Sequence, residues 1–227
     1  MNKLLYFFLL LNFNFCFSQF AIIKDTDGFV NVRNTPKKAN NISDKLNNGF
    51  IIYYFKQKNN WLSIYYKKNG KELNGFIYKD KVKYIYDYKS IPLKSNTNGQ
   101  VILENNTLKI EVKETNFVKE KHKLNYLKNS SVLNKIDGSA FLGTDGGIPK
   151  REYKSIEIKI NNIKVEIPKT ALQNLYEPNL QNTKANYDEL NDILYIQSSN
   201  SDGAGGYDIM WIIDKKKFKN RVEFYGF

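Results

Sequence analysis

The chain has 227 residues, 41% of them apolar and 26% charged, and carries a formal net charge of +12. That length accommodates one large domain or two small ones, each with a core of its own, and two is the expectation. One cysteine, Cys16, and one histidine, His122, exclude an internal disulfide and leave too few ligands for a histidine-rich catalytic zinc.

Residues 1–18 read as a signal peptide. Lys3 gives the positive end, Leu4 to Leu11 the apolar stretch, and Cys16-Phe17-Ser18 a small-x-small cleavage site. Asn12 and Asn14 interrupt the run well short of the ~20 apolar residues that a spanning helix needs. Export to the periplasm, the cell envelope or the medium is therefore expected, with no membrane span after cleavage and no thiol in the mature chain. The positive charge favours anionic partners. The lysines are spread along the chain, however, and only Arg33, Arg151 and Arg221 are arginines. That pattern suits a generally basic surface, and nucleic acid is not an expected partner.

Residues 19–86 are written in short runs of Val, Ile, Tyr and Phe separated by Asn, Gly, Pro and Lys, which predicts an all-β unit. Val30 and Val32 alternate with Asn31 and Arg33 until Asn34-Thr35-Pro36 ends the run, since proline cannot donate to a central ladder. The segments GFIIYYFKQ from Gly49, WLSIYYK from Trp61 and GFIYKDKV from Gly75 supply further strands. With a short run over 21–23, five strands would close as a small barrel. Gly28, Gly49 and Gly75 stand at strand ends, where positive φ is expected. Arg33 is expected to pair with Asp25 or Asp27. Tyr53, Trp61, Tyr65 and Tyr78 are the candidate ligand-binding aromatics, because such side chains offer large contact area at low entropy cost. Alternation must nevertheless turn half of the aromatic residues inward.

The order DGFVNVRNTP, Leu46 with Gly49, Trp61 with Ile64, and Gly75-Phe76-Ile77 resembles the bacterial SH3-like (SH3b) family over about 65 residues, the size of one small barrel. Phe76 stands where that family commonly has Trp, and Asn60 where a glycine often precedes Trp61. The resemblance implies a targeting module, of the kind joined to cell-wall hydrolases or envelope proteins, that binds wall peptides or partner proteins. It implies nothing about catalysis.

Residues 87–100, with Pro92 and a Ser/Asn/Gly cluster, read as a linker. Residues 101–227 then read as a second, β-rich α+β domain of no assigned family. Val101 and Leu103 face Leu108, Ile110 and Val112 in one predicted hairpin. Ile156, Ile158 and Ile160 mirror Ile163, Val165 and Ile167 about Asn161-Asn162 in another, asparagine being tolerant of the left-handed turn. Ala171, Leu172, Leu175 and Tyr176 have helical spacing and predict one short helix before Pro178. ILYIQSSN, YDIMWIID and RVEFYGF predict three more strands. The expected fold class is thus mostly β: a small SH3-like barrel followed by a β-rich domain with one short helix.

Chemistry is sparse in this pattern. Two Gly/Asp-rich loops, IDGSAFLGTDGG and SSNSDGAGGYD, make a candidate loop site from Asp137, Asp145, Asn200, Asp202 and Asp208. Asp145, Asp202 and Asp208 could supply oxygens to calcium, the only cofactor considered, although the spacing is not that of an EF-hand. The same loops could equally be wide connections needing glycine, or a surface recognising another protein. A Ser-His-Asp triad would need His122, and no G-x-S-x-G elbow is present. Two-carboxylate glycoside hydrolysis has Glu152, Glu157, Asp202 and Asp208 as candidates, with no spacing that selects a pair. The sequence favours an exported, non-catalytic binding or envelope-associated protein whose partner is a cell-wall or envelope polymer or another protein. Its alternatives are a carboxylate-based wall hydrolase and an immunity- or inhibitor-type protein.

Overall fold

The computed structural model describes residues 20–225, side chains at 56–58 excepted; the expected signal peptide and Cys16 lie outside them. The first seven strands are β1 (Phe20–Ile23), β2 (Phe29–Arg33), β3 (Ile42–Asn47), β4 (Ile51–Lys58), β5 (Trp61–Lys68), β6 (Lys71–Tyr78) and β7 (Val82–Tyr84). They form one antiparallel sheet in the order β3-β2-β6-β5-β4-β1-β7, curled into a half-barrel. Two strands, β3 and β7, join the five that the pattern predicts. Alternation sets the inner face: Val30, Val32, Leu62, Ile64 and Tyr66 all turn into the buried concave side.

Glycine makes the curl possible. Gly28 and Gly49 have φ of +80° and +84° as expected, but Gly75 does not have positive φ. Its role is close approach: a Cβ at Gly75 would sit 2.4 Å from Val32 Cγ1 and 3.0 Å from the Arg33 carbonyl oxygen. Those are the residues where β2 meets β6, through the Arg33–Phe76 pair. Any side chain here would push apart the two strands that turn the corner.

The remaining strands are β8 (Lys89–Ser90), β9 (Leu93–Thr97), β10 (Gln100–Glu104), β11 (Leu108–Asn116), β12 (Leu124–Tyr126), β13 (Leu133–Ile136), β14 (Arg151–Ile160), β15 (Ile163–Val165), β16 (Lys184–Asp188), β17 (Ile193–Asn200), β18 (Tyr207–Asp214) and β19 (Lys217–Tyr225). They build an outer sheet β15-β14-β11-β10-β9, a central sheet β19-β18-β17-β16-β8 and a small β12-β13 ribbon. The predicted hairpin at 156–167 is present, and Asn161 and Asn162 take φ of +49° and +63°. The outer and central sheets pack face to face around Ile110, Ile158, Ile196 and Trp211.

The central sheet is buried on its other face too. Tyr195, Met210, Ile212 and Phe224 pack against Phe20, Ile22, Tyr53 and Ile85 on the convex side of the half-barrel. The described chain is therefore three layers deep: half-barrel, central sheet, outer sheet. The 87–100 stretch, expected as a linker, supplies a strand to each of two sheets: β8 pairs with β16, and β9 with β10. Neither strand carries a fully buried side chain, so backbone pairing without an apolar pattern holds them.

The predicted helix is replaced by one 3₁₀ turn, Lys169–Ala171. Asn174 and Glu177 take φ of +64° and +49°, which breaks any α-turn through the segment. The backbone pairs sideways instead: the Leu142 N–H donates to the Asn174 carbonyl at 2.9 Å, and the Tyr176 N–H to the Leu142 carbonyl at 3.0 Å. Ala171, at the end of the 3₁₀ turn, and Leu175 and Tyr176, beyond it, still reach the core. No helix of the described residues is long and apolar enough to cross a membrane.

Candidate functional site

The four candidate aromatics divide into two pairs. Tyr53 is 3% exposed and faces the central sheet, where its hydroxyl donates to Asp208 Oδ2 at 2.7 Å. Tyr65 lies on the same convex face, packed edge-on against Phe55 with centroids 4.6 Å apart. Both are spent on layer packing. Trp61 and Tyr78 are cross-strand neighbours on β5 and β6, with rings edge-to-face at 5.3 Å. They line a surface cleft of about 440 Å³ with Asp27, Arg33, Lys38 and Asp80.

Supports fix the walls of this cleft. The Asn60 amide donates to the Tyr78 hydroxyl at 2.9 Å. Arg33 pairs with neither Asp25 nor Asp27: its Nη1 donates to the Ala39 carbonyl at 2.7 Å and to Asn41 Oδ1 at 2.9 Å, pinning the 34–41 loop over the mouth. Asp25 is taken by Lys81, and that hydrogen bond holds its carboxyl below the ordinary aspartate value. The result is an aromatic edge flanked by charges of both signs, suited to an amphipathic ligand with polar ends.

The five loop candidates do not converge. Asp145 and Asp202 line one open cleft of about 680 Å³ with Lys150 and Glu177. Its glycines serve close approach. A Cβ at Gly143 would lie 2.3 Å from the Tyr176 carbonyl oxygen, and one at Gly205 would lie 2.9 Å from Thr144 Cα. The approach at Gly205 presses the two loops together, and the Ser201 hydroxyl ties them by donating to the Gly143 carbonyl at 2.7 Å. Asn200 points inward, its Oδ1 accepting from the Tyr153 and Ser198 hydroxyls and from the Asn179 N–H. Asp208 is 6% exposed between Tyr53 and Ser199, and burial raises its pKa against the pull of those two hydrogen bonds. Among the described residues no three His, Cys, Asp or Glu side chains gather as a metal site. The calcium set Asp145, Asp202 and Asp208 is corrected on this ground: its third member is locked at the layer contact.

Asp137 belongs to a separate cluster. His122 stacks on Phe117 with centroids 4.5 Å apart and places Nδ1 2.7 Å from Asp137 Oδ2 and Nε2 3.5 Å from Glu152 Oε2. The bond to His122 lowers the Asp137 pKa, while burial raises that of Glu152. Asp137 engages Nδ1 of the imidazole, and the Glu152 carboxylate faces Nε2. His122 is thus a half-buried bridge between two carboxylates.

The hydrolase candidates have separate environments. Glu152 faces His122, Glu157 faces Lys113 on the outer sheet, Asp202 sits on the loop rim and Asp208 lies between layers. Sequence reading missed the contact of Tyr53 with Asp208. The available signal was an aspartate inside YDIMWIID, a run too apolar to leave one face in water. Compared with family models, with curated proteins and with solved structures, the chain has no match in any of the three.

Proposed function

We propose that the chain is an exported, non-catalytic binding protein whose SH3b-like first unit grips a cell-wall or envelope component at the Trp61–Tyr78 cleft. The observation that carries this reading is the edge-to-face pair of Trp61 and Tyr78 lining a 440 Å³ cleft. The curl of residues 20–84 and the spacing of Gly28, Gly49, Trp61 and Gly75 support the family resemblance. The mixed charges of Asp27, Lys38 and Asp80 suit a peptide-bearing polymer that presents amines and carboxylates together.

The test is a pull-down of the purified full chain on isolated cell wall over a salt series. Specific binding persists as salt rises, whereas attraction to scattered lysines is screened away. Trp61→Ala, at a half-buried position on the cleft wall, is expected to abolish the salt-resistant fraction. Retention of that fraction in the variant would overturn the reading.

A second reading rests on the loop cleft. Two loops tied by the Ser201 hydroxyl to the Gly143 carbonyl form a rim carrying Asp145 and Asp202, which suits a basic patch on a partner protein. A stoichiometric partner that co-purifies with the chain and is released by Asp145→Asn with Asp202→Asn would favour it over wall binding.

A further inference from the structure

The β12–β13 ribbon is anchored at its base and bare at its tip. At the base Leu133 and Ile136 are buried beside Tyr176, and Asp137 engages His122. The Leu133 N–H donates to the Gly146 carbonyl at 2.7 Å. At the tip the pattern reverses. Every residue from 126 to 132 is exposed, with Tyr126, Leu127 and Val132 at 46%, 47% and 44%, and none of the three joins an apolar cluster. Single exposed apolar side chains are ordinary, whereas three within seven residues of one hairpin tip make a patch.

Cations surround this patch. Residues 119–135 hold five lysines and one glutamate, a net 5 − 1 = +4 out of the chain's +12. Glu120 faces Lys119 at 3.9 Å. Lys121, Lys123, Lys128 and Lys135 are exposed, and none of the four is in an ion pair among the described residues. Lys128 stands in the tip itself, and Lys135 pairs across the ribbon with Asn125. The carboxylates of Asp137 and Glu152 face His122 at the base.

The tip backbone narrows the partner. The Leu127 N–H donates to the Val132 carbonyl at 2.9 Å, the Ser130 N–H to the Leu127 carbonyl at 3.2 Å and the Val132 N–H to Ser130 Oγ at 3.0 Å. Those groups keep their partners when water is withdrawn, which lowers the cost of entering a less polar medium. A soluble acidic polymer would engage the lysines and leave Tyr126, Leu127 and Val132 in water. A lipid surface meets both needs, because apolar side chains enter the headgroup and acyl boundary while lysine stems lie along it and their ammonium groups reach the phosphates. A fluid bilayer also takes a bare hairpin tip without offering a matching pocket.

We propose that the tip of the β12–β13 ribbon docks the chain on an anionic lipid surface, with Tyr126, Leu127 and Val132 entering the interface and the surrounding lysines meeting the phosphates. The ribbon lies on the membrane and does not span it. The surface is separate from the Trp61–Tyr78 cleft, and the inference does not rest on wall binding.

The test uses residues 19–227, which contain every described strand and omit the apolar leader, so that only the folded surface meets lipid. Co-sedimentation is measured with phosphatidylcholine vesicles, with and without phosphatidylglycerol. The chain is expected to bind the mixed vesicles and not the neutral ones. Lys123→Gln with Lys128→Gln weakens binding by roughly fivefold per lysine. Tyr126→Ser with Leu127→Ser weakens it by roughly tenfold or more and leaves the melting temperature unchanged, because both positions are exposed. In Leu127→Trp the fluorescence emission moves to the blue on mixed vesicles, read as a difference from the parent, whose Trp61 and Trp211 lie outside the ribbon. Absence of binding to the mixed vesicles, or equal binding to the neutral ones, overturns the inference. Equal binding by the Tyr126→Ser, Leu127→Ser variant overturns it too, since general attraction to a basic surface would then suffice. So does a Leu127→Trp emission that stays unshifted.

Discussion

Strands β5 and β18 have the same length and opposite surroundings. β5, WLSIYYKK, buries only Leu62, Ile64 and Tyr66, so one side chain in two faces the core. β18, YDIMWIID, buries every residue but its last, because Tyr207, Ile209, Trp211 and Ile213 enter the outer-sheet core while Asp208, Met210 and Ile212 meet the half-barrel. The difference teaches how the layers are counted: β5 turns only the half-buried Tyr65 to the layer contact, whereas the continuous apolar run of β18 fills cores on both of its faces. It also says that the half-barrel and the rest of the chain share a core instead of being strung together by a linker.

The strongest way to break this comparison is to cut one cavity between the outer and central sheets and another inside the half-barrel. Trp211 is 1% exposed, donates its indole N–H to the Ala171 carbonyl at 2.8 Å and packs edge-on against Tyr153. Trp211→Ala is expected to cost about 3–5 kcal/mol in urea unfolding, as large-to-small core changes do. Leu62→Ala, in the half-barrel interior, is expected to cost about 2–5 kcal/mol. Shared packing predicts that each variant shifts one common transition. A half-barrel that melts separately in Leu62→Ala, with the sandwich unmoved, would show that the layer contact is too weak to couple them.

The contact itself is sharpened at Tyr53. Tyr53→Phe keeps the ring against Phe20 and Phe224 but removes the donor to Asp208. The expected loss is about 1–3 kcal/mol, the range for stranding one buried hydrogen-bonding group. A neutral result would mean that Ser199 alone satisfies the carboxylate.

Asp208 carries a pH signature. Burial raises its folded pKa above the ordinary 3.8, so the stabilisation from this group is complete below that value and is lost as pH rises through the folded pKa. Asp208→Asn cannot titrate, and its amide can still accept from Tyr53 while donating to Ser199. The variant is expected to gain on the parent in urea midpoint as pH rises from about 4 towards neutrality. Parallel curves over that interval would sink the assignment. Asp137 runs the other way: its pKa is lowered by His122, so its contribution is present above 3.8 and fades on acidification.

Much of this architecture is legible in the residues, and the illegible parts share a cause. The alternation of β2 and β5 and the continuous apolar run of β18 report burial directly, because side chains carry that signal. β8 and β9 do not: Lys89-Ser90 and Leu93–Thr97 are held by main-chain pairing, which any residue but proline can supply. The apparent helix at 171–176 fails because spacing records which residues are buried, and a 3₁₀ turn followed by a bridge from Leu175 to Leu142 buries them as well. The candidate aromatics could not be sorted, since Tyr53 and Tyr54 differ only in which core each one faces. The loop aspartates scatter for a related reason. Asp145 and Asp202 share a rim because Gly205 lets its backbone touch that of Gly143 and Thr144, a tertiary contact that glycine content signals but does not locate.

The smallest effect lies at the one turn whose register the sequence states outright. Asn161 and Asn162 both adopt left-handed φ, and Ile160 pairs with Ile163 across them. Asparagine tolerates that conformation better than other chiral residues, but glycine at the second position adopts it without strain. Asn162→Gly relieves that strain and adds freedom to the unfolded chain, and the two effects nearly offset. A net gain of no more than about 0.5 kcal/mol is expected in the urea midpoint, the scale of a benign surface change. Asn162→Val, β-branched and intolerant of positive φ, should instead lose about 1–2 kcal/mol. The hairpin lies on the outer sheet, remote from the half-barrel. If Asn162→Val also weakened the wall binding proposed for the Trp61 cleft under conditions where the chain is fully folded, the layers would be coupled in function as well as in stability.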